Sequence, residues 1–108
     1  LQFTDEFKAF KESADENVKK KIEYIFEILT TQNTIHNKAV KKLVNTHFYE
    51  MRIKVNNEFR VLLFTIDHED INQATKILFL NGFMKKATKD YDKQIKLANK
   101  ILEQWQQK

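Results

Sequence analysis

Residues 48–66 read FYEMRIKVNNEFRVLLFTI, and this stretch decides the fold. Two runs rich in apolar residues, Tyr49 to Val55 and Phe59 to Ile66, flank the pair Asn56 and Asn57. Asparagine tolerates the positive φ that a tight hairpin turn requires, so the stretch predicts two antiparallel strands.

Each predicted strand carries an arginine, Arg52 or Arg60, and a guanidinium can hold phosphate oxygens by two parallel hydrogen bonds. A loop of Asn56 and Asn57 alone places the two arginines on opposite faces. If Val55 joins the loop, Arg52 lies directly opposite Arg60, and two adjacent cations make sense mainly around an anion. The sequence leaves both registers open.

After the hairpin, a fourth strand is expected from Gln73 to Asn81, covered on both faces and ended by Gly82, the only glycine. A final helix, capped by Thr88 or Asp90, comes after the lysine-rich connection. Its apolar stripe indicates a helix packed on the sheet and comprises Ile95, Ala98, Ile101, Leu102 and Trp105.

The N-terminal third predicts a pair of antiparallel helices. Thr4 can cap the first, with Phe3 packing on Phe7, and Ser13 with Glu16 forms a capping box for the second. A short helical turn is expected over Asn37 to Leu43, and a small first strand over Leu43 to Thr46. The two predictions overlap at Leu43. The sum is one α+β domain spanning residues 1–108, with three or four mainly antiparallel strands.

Composition excludes several classes of protein. The 108 residues contain no cysteine, which excludes disulfides and thiolate chemistry. No apolar run reaches the roughly 20 residues of a membrane helix, and no signal-like leader is present, so we expect a cytoplasmic protein without membrane contact. The sequence begins at Leu1 instead of methionine, which suggests a trimmed piece.

The net charge of +4 is unevenly distributed. Residues 35–66 and 83–108 are net positive, whereas residues 1–34 and 67–82 are net negative. Local positive patches attract nucleic acid and make its binding dependent on salt. Lysine runs are more often simple solvent cover, and that interpretation stays open for the lysines alone.

The hairpin and the segments after it resemble the RelE/HigB superfamily of bacterial toxins, in its phage-type Gp49-like branch. The shared pattern occupies Tyr49 to Ile53, Phe59 to Phe64, Ile77 to Lys89 and the helix after Tyr91. It covers about half of the chain closely and implies a RelE-like fold.

The resemblance implies the toxin of a toxin–antitoxin pair. Such toxins are metal-independent endoribonucleases that cleave mRNA, usually on the ribosome, by attack of the ribose 2′-hydroxyl. The implied partners are the ribosome, mRNA and a cognate antitoxin, commonly a helix-turn-helix protein for this branch; no cofactor or metal is implied. The alternatives are a non-catalytic RNA- or ribosome-binding module, and a protein-interaction module, on the same fold.

The candidate catalytic residues are Arg60 for the phosphate, Arg52, the cations Lys85 and Lys86, and Tyr91. A lysine with a pKa lowered by nearby cations could serve as the base, because no histidine or acid stands at an obvious base position. We expect these cations to converge on a hollow sized for a nucleotide backbone. The alternatives are purely structural roles. Arg60 would form an ion pair with Glu50 or Glu58, and Tyr91 would pack at the start of a helix.

Further RNA contacts are expected from Lys54, Phe83, Lys89 and Lys93. Histidine offers little, since His36, His47 and His68 lack the spacing of a metal motif.

Overall fold

In the computed structural model, which describes residues 1–31 and 39–107, one five-stranded sheet carries helices on both faces. The helices are α1 (Asp5–Ser13), α2 (Glu16–Thr31) and α3 (Thr88–Gln106). The strands are β1 (Gln2–Phe3), β2 (Val40–Lys42), β3 (Phe48–Val55), β4 (Asn57–Thr65) and β5 (Ile77–Met84).

The strand order is β1-β5-β4-β3-β2, and neighbours are antiparallel except for β1, which runs parallel to β5. This arrangement confirms the α+β class with an N-terminal helical pair and a C-terminal helix. The sheet exceeds the expected three or four strands because the two residues of β1 join its edge.

The hairpin adopts the register that places the two arginines opposite each other. Arg52 pairs with Arg60, and Val55 pairs with Asn57. Asn56 alone turns the chain with a φ of 59°, in the left-handed region that asparagine tolerates. Asn57 already belongs to β4, so the two-residue loop is wrong.

Both helix caps in the N-terminal third are carried by side chains next to the helix starts. The Phe7 amide donates to Thr4 Oγ1 at 3.1 Å, and the Phe3 and Phe7 rings stack at 5.5 Å, as predicted. The second cap was predicted wrongly at Ser13. Asp15 takes that role, because its carboxylate accepts from the Val18 amide at 3.0 Å directly before α2.

The chain before the hairpin also differs from expectation. Residues 40–42 form β2 instead of a helical turn, because pairing with β3 outweighs local preference; residues 37 and 38 lie outside the described residues. The expected strand from Leu43 to Thr46 is a turn, with Asn45 at a φ of 61°.

Strand β5 begins later and ends later than predicted. Residues 73–76 precede it, and Gly82 lies inside it instead of ending it. A Cβ at Gly82 would overlap the ring of Phe10, so this glycine marks a close approach of α1 to the sheet. The extension to Met84 brings Lys85 directly to the strand end.

The two faces of the sheet bury separate apolar clusters. One lies under α1 and α2 and the other under α3, where the predicted stripe of α3 packs. Among the described residues, no helix is long and apolar enough to traverse a lipid bilayer.

Candidate active site

A cluster of charged side chains lies on the α3 face of the sheet, on the central strands β3 and β4. Side chains alternate between faces along a strand, so Glu50 and Arg52 share the face of α3. The observed register adds Arg60 beside Arg52. The first turn of α3 then places Tyr91 over this group.

Tyr91 joins the cluster through its hydroxyl. It donates to Glu50 Oε2 at 2.9 Å and accepts from Arg60 Nε at 2.7 Å. Arg52 Nε donates to the other carboxylate oxygen, Glu50 Oε1, at 2.8 Å. Glu50 thus lies between two guanidinium groups, since Arg60 Nε is also 3.9 Å from its Oε1.

The remaining nitrogens of Arg60 also find partners in the chain. Nη1 donates to the Phe59 carbonyl at 3.1 Å, and Nη2 lies 3.5 Å from Glu58 Oε1. The side chains of Arg60 and Glu50 are each 5% exposed, whereas those of Arg52 and Glu58 are 43% and 48% exposed. The cluster therefore has a buried centre and an open rim.

The electrostatics result from this burial. Burial raises the pKa of Tyr91 above its ordinary value, and the hydrogen bond to Glu50 and the charge of Glu50 act in the same direction. The hydrogen bond to Glu50 raises the pKa of Arg52. Tyr91 therefore keeps its proton at neutral pH and donates it to the carboxylate.

Two further predicted residues contact Tyr91. The Lys85 ammonium lies 5.8 Å from the centre of the tyrosine ring, and the Phe83 ring meets it edge-on at 5.5 Å. Phe83 is 8% exposed and packs in the core under α3. The Lys85 amide donates to the Glu58 carbonyl at 2.8 Å, which continues the strand pairing beyond β5.

The other predicted cations lie outside this group. Lys54 is exposed and pairs in register with Glu58, and Lys86, Lys89 and Lys93 are exposed at the start of α3 or just before it. The prediction that Arg60 lines a hollow is wrong. Instead of lining an open surface, Arg60 is covered by Tyr91 and paired with Glu50 and Glu58.

Glu50 is the residue that sequence reasoning missed as a site candidate. It appeared only as a possible ion-pair partner of Arg60. Its position two residues before Arg52 on the same strand was a usable signal, because residues i and i+2 of a strand share a face.

The histidines lie elsewhere. His47 and His68 line a cavity of about 560 Å³ near the end of β4, together with Lys42, Asp67 and Glu69. Within residues 1–31 and 39–107, no group of three or more histidine, aspartate or glutamate side chains is arranged to hold a metal ion. His36 lies outside the described residues.

Residues 5–103 match the family described as phage derived protein Gp49-like. The chain belongs to the Gp49-like family. Its fold is similar to that of one chain of the RelB–RelE antitoxin–toxin complex from Methanococcus jannaschii, with a TM-score of 0.59 and 22% identity over 84% of this chain and 98% of that chain. A search of curated proteins found no significant match.

Proposed function

We propose that this Gp49-like protein is the toxin of a toxin–antitoxin pair and cleaves RNA, with mRNA on the ribosome as its substrate. The observation that carries the proposal is the contact of Tyr91 with both Glu50 and Arg60. A carboxylate and a guanidinium that share one hydroxyl have the reach to act on a ribose hydroxyl and its adjacent phosphate.

The reaction divides among the residues of the cluster. Glu50 takes the proton of the ribose 2′-hydroxyl, whose oxygen attacks phosphorus and forms a 2′,3′-cyclic phosphate. Arg60 and Arg52 stabilise the negative charge of the crowded phosphorane. The bond to the 5′-oxygen breaks, and Lys85 gives that oxygen a proton. Lys86, next to Lys85, is a second cation for the phosphate.

Substrate binding would use the exposed rim. The exposed Lys54 on β3 and Lys89 and Lys93 on α3 would supply positive charge for the RNA backbone, and Arg52 is open enough to meet a phosphate first. The ribosome would position the mRNA, and positioning alone can contribute several kcal/mol to catalysis. Because its substrate would lie on the ribosome, the protein would act in the cytoplasm. We propose that residues 1–108 form one domain.

The partner that restrains this activity would be a cognate antitoxin. The support is the fold, which is similar to a chain crystallised in an antitoxin–toxin complex. For the Gp49-like branch we propose a small helix-turn-helix protein, encoded next to the toxin.

Primer extension on mRNA bound to purified ribosomes tests the catalytic assignment. Glu50→Gln should lower the cleavage rate by about 10²–10⁴-fold, the usual range for loss of a general base. Lys85→Met should lower it as well, and because Lys85 is exposed this variant should fold normally. Lys21→Met, an exposed lysine on α2, is the matched control and should cleave like the parent chain.

Unchanged cleavage in both Glu50→Gln and Lys85→Met would refute these roles. Growth of bacteria that express the chain, with and without the adjacent gene, tests the toxin assignment itself. We expect arrest without the neighbour and rescue with it. No arrest in either strain would refute the toxin assignment.

One observation favours a second candidate, a non-catalytic RNA- or ribosome-binding module. Arg60 is fully engaged by Glu50, Glu58 and Tyr91, as a structural arginine would be. Such a module would bind ribosomes with an affinity that falls steeply with salt and would yield no cleaved product.

A further inference from the structure

We propose that Tyr91 closes the cluster in the free protein, and that RNA must displace the first turn of α3 to reach Glu50 and Arg60. This inference rests on the proposed RNA-cleaving function. It assigns Tyr91 a regulatory contact: its hydroxyl occupies the place that the substrate would take.

The hydrogen bonds of Tyr91 match those that the substrate needs. The substrate 2′-hydroxyl must donate to Glu50, and the Tyr91 hydroxyl now does so at 2.9 Å. A phosphate oxygen must accept from Arg60, and the same tyrosine oxygen accepts from Nε at 2.7 Å. One side chain therefore satisfies both groups and leaves neither available to RNA.

The guanidinium of Arg60 is closed along the edge that would bind phosphate. A bidentate contact can use Nε together with Nη2. Tyr91 holds Nε, and Glu58 lies 3.5 Å from Nη2. Glu58 is about half exposed and can swing into solvent, so Tyr91 is the more restrictive of the two covers.

Burial requires this displacement. The side chains of Arg60 and Glu50 are each 5% exposed, which is too little for a phosphate group to contact them. By contrast, Arg52 on the same face is 43% exposed and can receive RNA without any movement.

The contacts of α3 indicate which part moves. Its later residues are anchored in the core, with Ala98 0% and Ile101 4% exposed. At its start, the linking residues 85–87 are exposed, and Tyr91 is only half-buried. Opening the first turn would break the contacts of Tyr91 and leave the apolar part of the helix packed.

Arginine labelling tests the closure without using RNA. The chain contains two arginines, so phenylglyoxal modification located by mass spectrometry reports Arg60 and uses exposed Arg52 as an internal reference. We expect Arg60 to react much more slowly than Arg52. Tyr91→Phe should speed the modification of Arg60 by about 2–10-fold, the equivalent of losing the hydrogen bond between Arg60 and Tyr91. Tyr24→Phe, which alters an exposed tyrosine on α2, should change nothing.

RNA binding tests the consequence. A fluorescent 2′-fluoro RNA oligonucleotide carries the phosphates but lacks the attacking hydroxyl, so its anisotropy measures binding alone. Tyr91→Phe should bind it about 2–10-fold more tightly than the parent chain, because no hydroxyl has to be displaced. If the parent chain binds the oligonucleotide measurably and Tyr91→Phe binds it no more tightly, the inference is overturned, as it is by equal labelling of Arg60 in the parent, Tyr91→Phe and Tyr24→Phe proteins.

Arginine labelling and the primer-extension assay on ribosome-bound mRNA separate this inference from the proposed function. Faster labelling of Arg60 in Tyr91→Phe, with no cleavage of ribosome-bound mRNA by the parent chain or any variant, supports closure by Tyr91 and refutes the RNA-cleaving function. Circular dichroism of each variant verifies that the fold is intact.

Discussion

The two faces of the sheet are built differently. The face under α1 and α2 buries mainly apolar side chains and, among the described residues, no charged one; its centre is a group of phenylalanine rings around Phe79. The face under α3 is apolar toward the end of that helix but carries Glu50, Arg60 and Tyr91 at its start.

This difference separates stability from function. Apolar burial is favourable wherever it occurs, whereas a buried charge pair contributes little net stability because its desolvation offsets the attraction. We therefore expect the face under α1 and α2 to contribute more to stability than the face under α3, where the charged group adds little. Substitutions on each face should break this comparison if it is incorrect.

The largest expected effect comes from the aromatic centre. Phe79→Ala should lower the free energy of unfolding by about 3–5 kcal/mol, since Phe79 is 0% exposed and contacts the rings of Phe3, Phe7 and Phe26. Urea denaturation measures it. The comparison variant is Phe83→Ala on the other face, which should cost less; a greater loss there would contradict the division between the faces.

A smaller loss is expected where α1 meets the sheet. Gly82→Ala should lower the free energy of unfolding by about 1–3 kcal/mol, because the added methyl group overlaps the Phe10 ring. A double-mutant cycle isolates the cause. In a Phe10→Ala background the same substitution should be nearly neutral, and an undiminished cost there would mean that the strain lies elsewhere.

Much of the fold was predictable because periodicity carries it. The strand alternation around Asn56 and the apolar stripe of α3 both have a period that the sequence displays directly. The predicted strand boundaries were wrong where contacts between residues far apart in the sequence determine them. Gly82 stays inside β5 because Phe10 packs over it, and residues 40–42 become a strand because β3 offers a partner.

The sequence points to Arg52, Arg60 and Tyr91 but not to their arrangement. Arg60 and Tyr91 contact each other, and Arg52 joins them through Glu50. Local sequence patterns do not determine two features of the site: the register of the hairpin and the position of α3 over the sheet. Both depend on residues far apart in the chain.

A more modest effect should appear at the start of α3. Asn81 donates to the Gln94 side chain at 2.9 Å and to its carbonyl at 3.3 Å. Gln94→Ala should therefore lower the free energy of unfolding by only about 1 kcal/mol. Hydrogen exchange should accelerate over the first turns of α3 but not around Ile101. Uniform acceleration along the helix would show that its two ends open together.

The smallest effect is expected at Asp67, an exposed carboxylate in the loop between β4 and β5. The Asp67 carboxylate accepts from the Thr75 hydroxyl and from the amides of Thr75 and Lys76, and these bonds, led by that of the Thr75 side chain, lower its pKa to about 2. A lowered pKa stabilises the fold at pH values above the ordinary pKa of about 4, and the contribution disappears as pH falls through 2.

Asp67→Asn should therefore unfold at a slightly lower urea concentration than the parent at pH 6, and this gap should close between pH 4 and pH 2. Asp92→Asn, which alters an exposed carboxylate on α3, is the control for a general change of charge. A gap that persists at pH 2 would mean that Asp67 stabilises the loop through its shape and not through its ionised carboxylate. In that event the loop, like the face under α1 and α2, would depend on packing alone.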